Sequence, residues 1–456
     1  MAVSTKPFIL ICATPAISHL LALGAIATDL LKRGYEVTIL GATVRRDFID
    51  GVGASFAPLL GRADFFCESG RANENFPQRK AIPEGPEQIA FDMDSVFVSP
   101  IAAQFDSIQR VLQGFKKKDA SRPVVILNEG MFLGAIPLLL GAPGLQPTGL
   151  ISIGVAPVAL SSIDTAPFGV GLFPDSSPQG RERNRALTKM AQEDMFGRLQ
   201  DRFQKVVQSV GAAKCPYFVF DAPYLLSHYF LQLCHPDLEY VRSDAPENII
   251  FAGVIPHGEE ARWNDKPAWW EEITTNTSRQ KIVFVSQGTV ALDYSDLIIP
   301  SLKALKDVPN VLVVVALGRR GNTLPAEVVI PDNVRVTDFI PYHEALAHAD
   351  VFLCNGGYGG FQQSVGQGVP IIIAGASEEK PEVAARAEYA GVGINLRTKS
   401  PTPEAIREAV KVVLNDPIYT NKVISIQAKM SQLDPFSILV QKIDDLVASK
   451  HVVEQG

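Results

Sequence analysis

Between Asp350 and Ser364 the chain reads Asp-Val-Phe-Leu-Cys-Asn-Gly-Gly-Tyr-Gly-Gly-Phe-Gln-Gln-Ser, and no other stretch constrains the fold as much. The apolar run 351–353 reads as a buried strand, four glycines turn the chain, and 361–366 begins a helix. Glycines after a strand let the backbone come close to a ligand. The unpaired N–H groups and the positive dipole end of the following helix favour an anion there. Diphosphate is the usual occupant of such a turn, and a plain tight turn of an α/β protein is the alternative.

The same alternation recurs along the chain. A strand over 8–12, a helix over 20–33 closed by Gly34 and a strand over 36–40 make a βαβ unit and predict a parallel sheet. The intervening turn, Ala13 to His19, lacks Gly-x-Gly-x-x-Gly, which weighs against a dinucleotide-dependent dehydrogenase. A loop over 61–85, a helix over 88–112, strands over 124–127 and 149–155, an aperiodic segment over 167–185, a helix over 194–210 and a strand over 249–254 follow. The alternation restarts with a strand at 281–286. Further strands are expected at 311–317, 334–337 and 371–374, with helices at 297–306, 343–349, 382–390 and 402–414. At 456 residues the chain exceeds the roughly 250–300 at which a single core stops growing. Two doubly wound domains are expected, over 1–255 and 281–434, joined by a polar linker over 256–280 and followed by a terminal segment over 435–456.

Composition narrows the function classes. A net charge of −7 argues against a nucleic-acid partner. Five widely spaced cysteines without metal-ligand spacing suit a reduced, cytoplasmic chain, and no metal is expected. The apolar run 7–12 meets Pro15 and His19 too soon for a secretory signal, and no apolar run reaches the roughly 18 residues of a membrane span. A membrane anchor is therefore not expected.

Asn355-Gly-Gly-Tyr-Gly-Gly-Phe-Gln-Gln, then Gly368-Val369-Pro370, then Glu379-Lys380 and Ala384-Ala385-Arg386, resemble the donor-sugar signature of the family 1 glycosyltransferases, the UDP-glycosyltransferases of GT-B fold. The spacing matches. The family more usually has histidine at 355, a hydroxyl at 360 and Asp-Gln at 379–380. The resemblance implies two Rossmann-like domains facing across a cleft, with the 435–456 segment crossing back to the first. It implies that Ser286, Gly288 and Thr289 approach the β-phosphate and that Phe339 and Ile340 meet the uracil. Asn355, Gly356, Gly357, Gly359, Gly360 and Gln363 would hold the rest of the donor, and Glu379 and Lys380 the sugar hydroxyls. UDP-glucose, a co-substrate rather than a cofactor, is the expected donor.

The acceptor side is implied in the same way. Ser18-His19 stands where the family ends its first turn in Gly-His, making His19 the expected general base of an inverting transfer. Glu129 is the expected partner of its imidazolium, with Asn128 the alternative under a one-residue shift. Phe65, Phe66, Phe91, Met131, Phe132 and a lid over 167–185 would enclose a small lipophilic hydroxylated acceptor. A nucleotide-sugar-binding protein without turnover and a sugar-nucleotide epimerase of the same fold are the competing readings.

Overall fold

The computed structural model describes residues 6–65, 75–83, 86–255, 263, 265–289 and 291–453. The first sheet contains β1 (Phe8–Cys12), β2 (Glu36–Gly41), β3 (Ser55–Pro58), β4 (Val124–Glu129), β5 (Gly149–Gly154), β6 (Tyr229–Gln232) and β7 (Ile249–Phe251). Its order is β3-β2-β1-β4-β5-β6-β7 and every pairing is parallel. The second contains β8 (Lys281–Ser286), β9 (Val311–Ala316), β10 (Val334–Thr337), β11 (Val351–Cys354), β12 (Ile371–Ile373) and β13 (Gly393–Asn395). Its order, β10-β9-β8-β11-β12-β13, repeats the same winding, again all parallel.

Strands covered on both faces must be apolar at every position, which is why they read as continuous runs. Successive side chains point to opposite faces. Ile9 and Ile11 pack on Leu20, Leu23, Ile26 and Leu30 of the Ile17–Lys32 helix and on Leu439, Ile443 and Leu446 of the Pro435–Val453 helix. Leu10 and Cys12 face Phe105, Ile108 and Leu112 of the Ile101–Lys118 helix. In the second sheet Ile282 and Phe284 enter one core, Val283 and Val285 the other. The terminal helix thus returns to the first sheet, with Leu446 2.7 Å from where a Cβ on Gly149 would lie. Among the described residues no helix is long and apolar enough to cross a membrane.

Several local expectations need correction. The short strands β3, β6 and β13 did not stand out from loop by pattern, being only three or four residues long. The expected 88–112 helix is two helices, Pro86–Met93 and Ile101–Lys118, separated by a wide turn at Asp94–Val98 ahead of Pro100. The aperiodic 167–185 segment is a loop only in part. Ser177 accepts a hydrogen bond from the Gly180 N–H at 3.0 Å and caps a helix over Pro178–Lys189. A helix over Pro417–Met430, started by Asp416 and Pro417, was not anticipated.

In each sheet the winding direction reverses between two central strands, β1 and β4 in one and β8 and β11 in the other. Ligands of doubly wound sheets bind in the crevice beyond the carboxyl ends of such a pair.

Candidate active site

Because β1 and β4 are neighbours, with Cys12 opposite Asn128, the turn leaving β1 meets the end of β4. His19 lies in the first turn of the Ile17–Lys32 helix, and Glu129 is the last residue of β4. His19 Nδ1 is 3.3 Å from Glu129 Oε1. Thr14 Oγ1 lies 3.3 Å from the same nitrogen, so both contacts fall on Nδ1. The imidazole is partly exposed whereas the Glu129 side chain is buried, and its Oε1 also accepts the Met131 N–H at 3.0 Å. Burial pulls the His19 pKa down, but the charge and hydrogen bond of Glu129 and the charge of Glu379 outweigh it and hold it above its ordinary 6.5. Glu379 belongs to the second domain, so its field crosses between the two. Asn128 donates its amide to the Glu129 carbonyl at 2.9 Å. Of the two expected partners, Glu129 is the one in contact with His19.

The second crevice is made of backbone. After β8 the chain turns at Gly288, with φ +76°. A Cβ on Gly318 would lie 1.9 Å from the Gly288 carbonyl oxygen, so glycine is required for that crossing. After β11, Gly356 (φ +86°) passes so close to Ile373 that a Cβ would sit 2.6 Å from its Cγ2. Gly357 and Gly359 face open space. Gly357 caps the Tyr358–Gly366 helix without any side-chain bond, which leaves the first-turn N–H groups for a ligand. Gln363 is half-buried on that helix, and Thr289 is exposed.

Several side chains expected to touch the donor are occupied elsewhere. Ser286 is fully buried, and its Oγ accepts from Tyr342 Oη at 3.1 Å and from the Gly288 N–H at 3.3 Å, so the hydroxyl braces its own turn. Asn355 donates its amide to the Gln287 carbonyl, tying the two turns together. Ile340 is core, which leaves only its backbone for a base, whereas Phe339 is half-buried with the Arg320 guanidinium 5.1 Å from its ring. The Lys380 ammonium pairs with Glu378 and lies 3.3 Å from Ser377 Oγ, so it is no free cation for a sugar. Glu379, at the N-cap of the Lys380–Tyr389 helix, is half-exposed.

Between the domains lies a charged cluster that sequence reading missed. Arg386, fully buried, donates Nε to Glu239 of the first domain, Nη1 to Glu382 at 2.6 Å and Nη2 to the Val158 carbonyl at 3.1 Å. The other Glu382 oxygen accepts the Gly169 and Gly171 N–H groups at 2.9 and 2.8 Å. The expected lid is therefore pinned to the second domain at its tip. The signals of the cluster in the sequence were Arg386 in the Ala384-Ala385-Arg386 motif and its i, i+4 pairing with Glu382, and neither pointed to Glu239. Of the expected acceptor-pocket residues, Phe132 is core, Met131 is half-buried, and Phe66 lies outside the described residues. Phe65 and Phe91 both pack on Phe76, with ring centroids 5.3 and 6.2 Å apart.

Two doubly wound domains carrying a histidine–carboxylate pair at one switch point and a glycine turn at the other define a GT-B fold. The crystal structure of the kitacinnamycin glycotransferase shares it, with TM-score 0.71 and 20% identity over 96% of this chain and 99% of that one. UDP-glycosyltransferase 2 of Phaeomoniella chlamydospora is 38% identical over 455 residues, covering 98% of each chain. UDP-glucosyltransferase A1 of Starmerella bombicola is 37% identical over 446 residues, covering 98% of this chain and 93% of that protein. Residues 302–446 match the erythromycin biosynthesis protein CIII-like C-terminal domain. The chain belongs to the family 1 UDP-glycosyltransferases.

Proposed function

We propose that this enzyme transfers glucose from UDP-glucose to a hydroxyl of a lipophilic small molecule, with inversion at the anomeric carbon and without a metal ion. The observation that carries this is the His19–Glu129 pair at 3.3 Å, close enough to the second domain for the charge of Glu379 to reach His19. In this reading His19 Nε2 takes the acceptor hydroxyl proton as the oxygen bonds to the anomeric carbon. The bond from that carbon to the diphosphate breaks, and UDP leaves with the electron pair. Backbone N–H groups of the 355–360 turn and the uncapped end of the Tyr358–Gly366 helix stabilise its charge. Glu129 holds the imidazole in place and balances the imidazolium.

The ion pair between Lys380 and Glu378 leaves Glu379 as the net charge near the sugar, which favours a neutral hexose over a uronic acid. The name of the Starmerella relative, a glucosyltransferase, agrees. Ile17 and Leu21 stand exposed on the helix that carries His19, and with the Phe65–Phe76–Phe91 cluster they supply apolar surface for an acceptor. Four buried free thiols, Cys12, Cys215, Cys234 and Cys354, suit the cytoplasm.

The test is turnover of UDP-glucose with phenolic and terpenoid alcohols, in EDTA and again in Mg²⁺, with the anomeric configuration read by NMR. A β-glucoside formed equally in both is expected. An α-product would sink inversion, a strict need for Mg²⁺ would sink metal independence, and UDP binding without product from any alcohol would favour a non-catalytic binder.

A further inference from the structure

Two of the side chains that tie the β8 turn to its surroundings matter here. One is Asn355, through the Gln287 carbonyl. The other, Tyr342, stands directly after Pro341 and opens the Tyr342–Leu346 helix. Its ring packs against the stacked pair of Phe284 of β8 and Phe352 of β11, edge to face with both at 5.6 and 5.3 Å. Its Oη donates to the buried Ser286 Oγ at 3.1 Å, and that oxygen also accepts the Gly288 N–H. The same ring closes off residue 360: a Cβ there would lie 3.0 Å from Tyr342 Cε2 and 3.4 Å from Phe352 Cε1. Tyr342 therefore touches both turns, one through its hydroxyl and one through its ring edge.

We infer that Tyr342 is a positioning residue for the diphosphate, setting the separation of the 286–289 and 355–360 turns and crowding any side chain at residue 360. The inference rests on the reading of those turns as the UDP site. Both turns present backbone N–H groups, and such donors hold an anion well only at fixed positions. The Oη–Ser286–Gly288 chain fixes one set of donors, and the ring beside Gly360 fixes where the helix bearing the other set begins. Desolvation pushes the phenol up to about 12, so Oη remains a donor at neutral pH. The absence of a side chain at 360 is then a fit to the ring rather than a lost contact.

The experiment is UDP calorimetry on the full chain, together with separate KM values for donor and acceptor. Tyr342→Phe keeps the ring and loses one hydrogen bond. It should weaken UDP and raise the donor KM by roughly three- to tenfold, leaving the acceptor KM unchanged. An unaltered UDP affinity in a folded Tyr342→Phe protein overturns the inference, as does an equal rise in both KM values, which marks general loosening. If the parent chain itself fails to bind UDP, the reading of the site falls and takes the inference with it. A second route does not depend on the hydroxyl. Gly360→Ala should weaken UDP in the parent but cost less in a Tyr342→Ala background, where the nearest of its contacts is gone. Equal penalties in both backgrounds overturn the steric half of the inference.

Discussion

The two halves of this enzyme place their sites at the same point of the same topology and build them from opposite materials. In the proposed reading the working groups at the β1/β4 crevice are side chains, His19 and Glu129. At the β8/β11 crevice they are backbone, and Ser286, Asn355, Ile340 and Lys380 are spent on bracing, core packing or a local ion pair. A diphosphate has fixed charge and shape, so N–H groups on rigid turns can meet it. Moving a proton needs a titratable group whose pKa the surroundings can set, which backbone cannot supply. One half should therefore be most sensitive to losing the side chains that do the chemistry, the other to gaining side chains at its turns and to losing those, such as Tyr342, that brace them.

The sharpest test of that contrast is His19→Ala. Transfer should fall by roughly 10²–10⁴-fold, the range of a positioned general base, while UDP affinity stays unchanged by calorimetry. A parallel loss of UDP binding would break the division between the halves.

Glu129→Gln probes the same crevice more gently. His19 works as a base only when neutral, so the rate should climb as pH rises through its pKa. That pKa lies above 6.5 because Glu129 and Glu379 outweigh burial. Without the Glu129 charge, burial dominates and the acid limb of the pH–rate profile should move to lower pH. The plateau should drop about 10²-fold as the ring loses its orientation. An acid limb that stays in place would show that Glu129 does not govern the base.

Much of this was legible from the residues alone, and the boundary is physical. Strands buried on both faces cannot hide, so β1, β4, β8 and β11 announced themselves as apolar runs, and the crevices beside them followed from the winding. His19 and Glu129 stand at the ends of such runs, where a family resemblance could point to them. What Ser286, Asn355 and Lys380 do was not legible. A hydroxyl, an amide or an ammonium next to a ligand turn reads the same whether it faces the ligand or a neighbouring turn. Only Tyr342, the Gln287 carbonyl and Glu378 decide the matter, and for the first two the separation in sequence is too long for local pattern to carry. The Arg386 cluster was hidden for the same reason, since Glu239 lies 147 residues away.

That cluster joins the two halves and gives a smaller predicted effect on activity than either member of the His19–Glu129 pair. Glu382 holds Gly169 and Gly171 with one oxygen and Arg386 with the other, three residues beyond Glu379 on the chain that edges the sugar site. Around those glycines Phe168, Val170, Leu172 and Phe173 stand partly exposed, apolar surface suited to an acceptor rather than to UDP. Breaking a buried pair strands the remaining charge, at a cost of about 3–5 kcal/mol in general, but Arg386 keeps Glu239 and the Val158 carbonyl. Glu382→Ala should therefore fold with a lowered melting temperature and release the loop. Chymotrypsin should then cut at Phe168 or Leu172, and the acceptor KM should rise about tenfold, the worth of one charged hydrogen bond, with UDP affinity unchanged. Glu382→Gln, which keeps an oxygen for the two glycine N–H groups, should resist the protease better than Glu382→Ala. If both variants are cut alike and the acceptor KM does not move, the loop belongs to the scaffold, and the division between a backbone donor half and a side-chain acceptor half ends at His19 and Glu129.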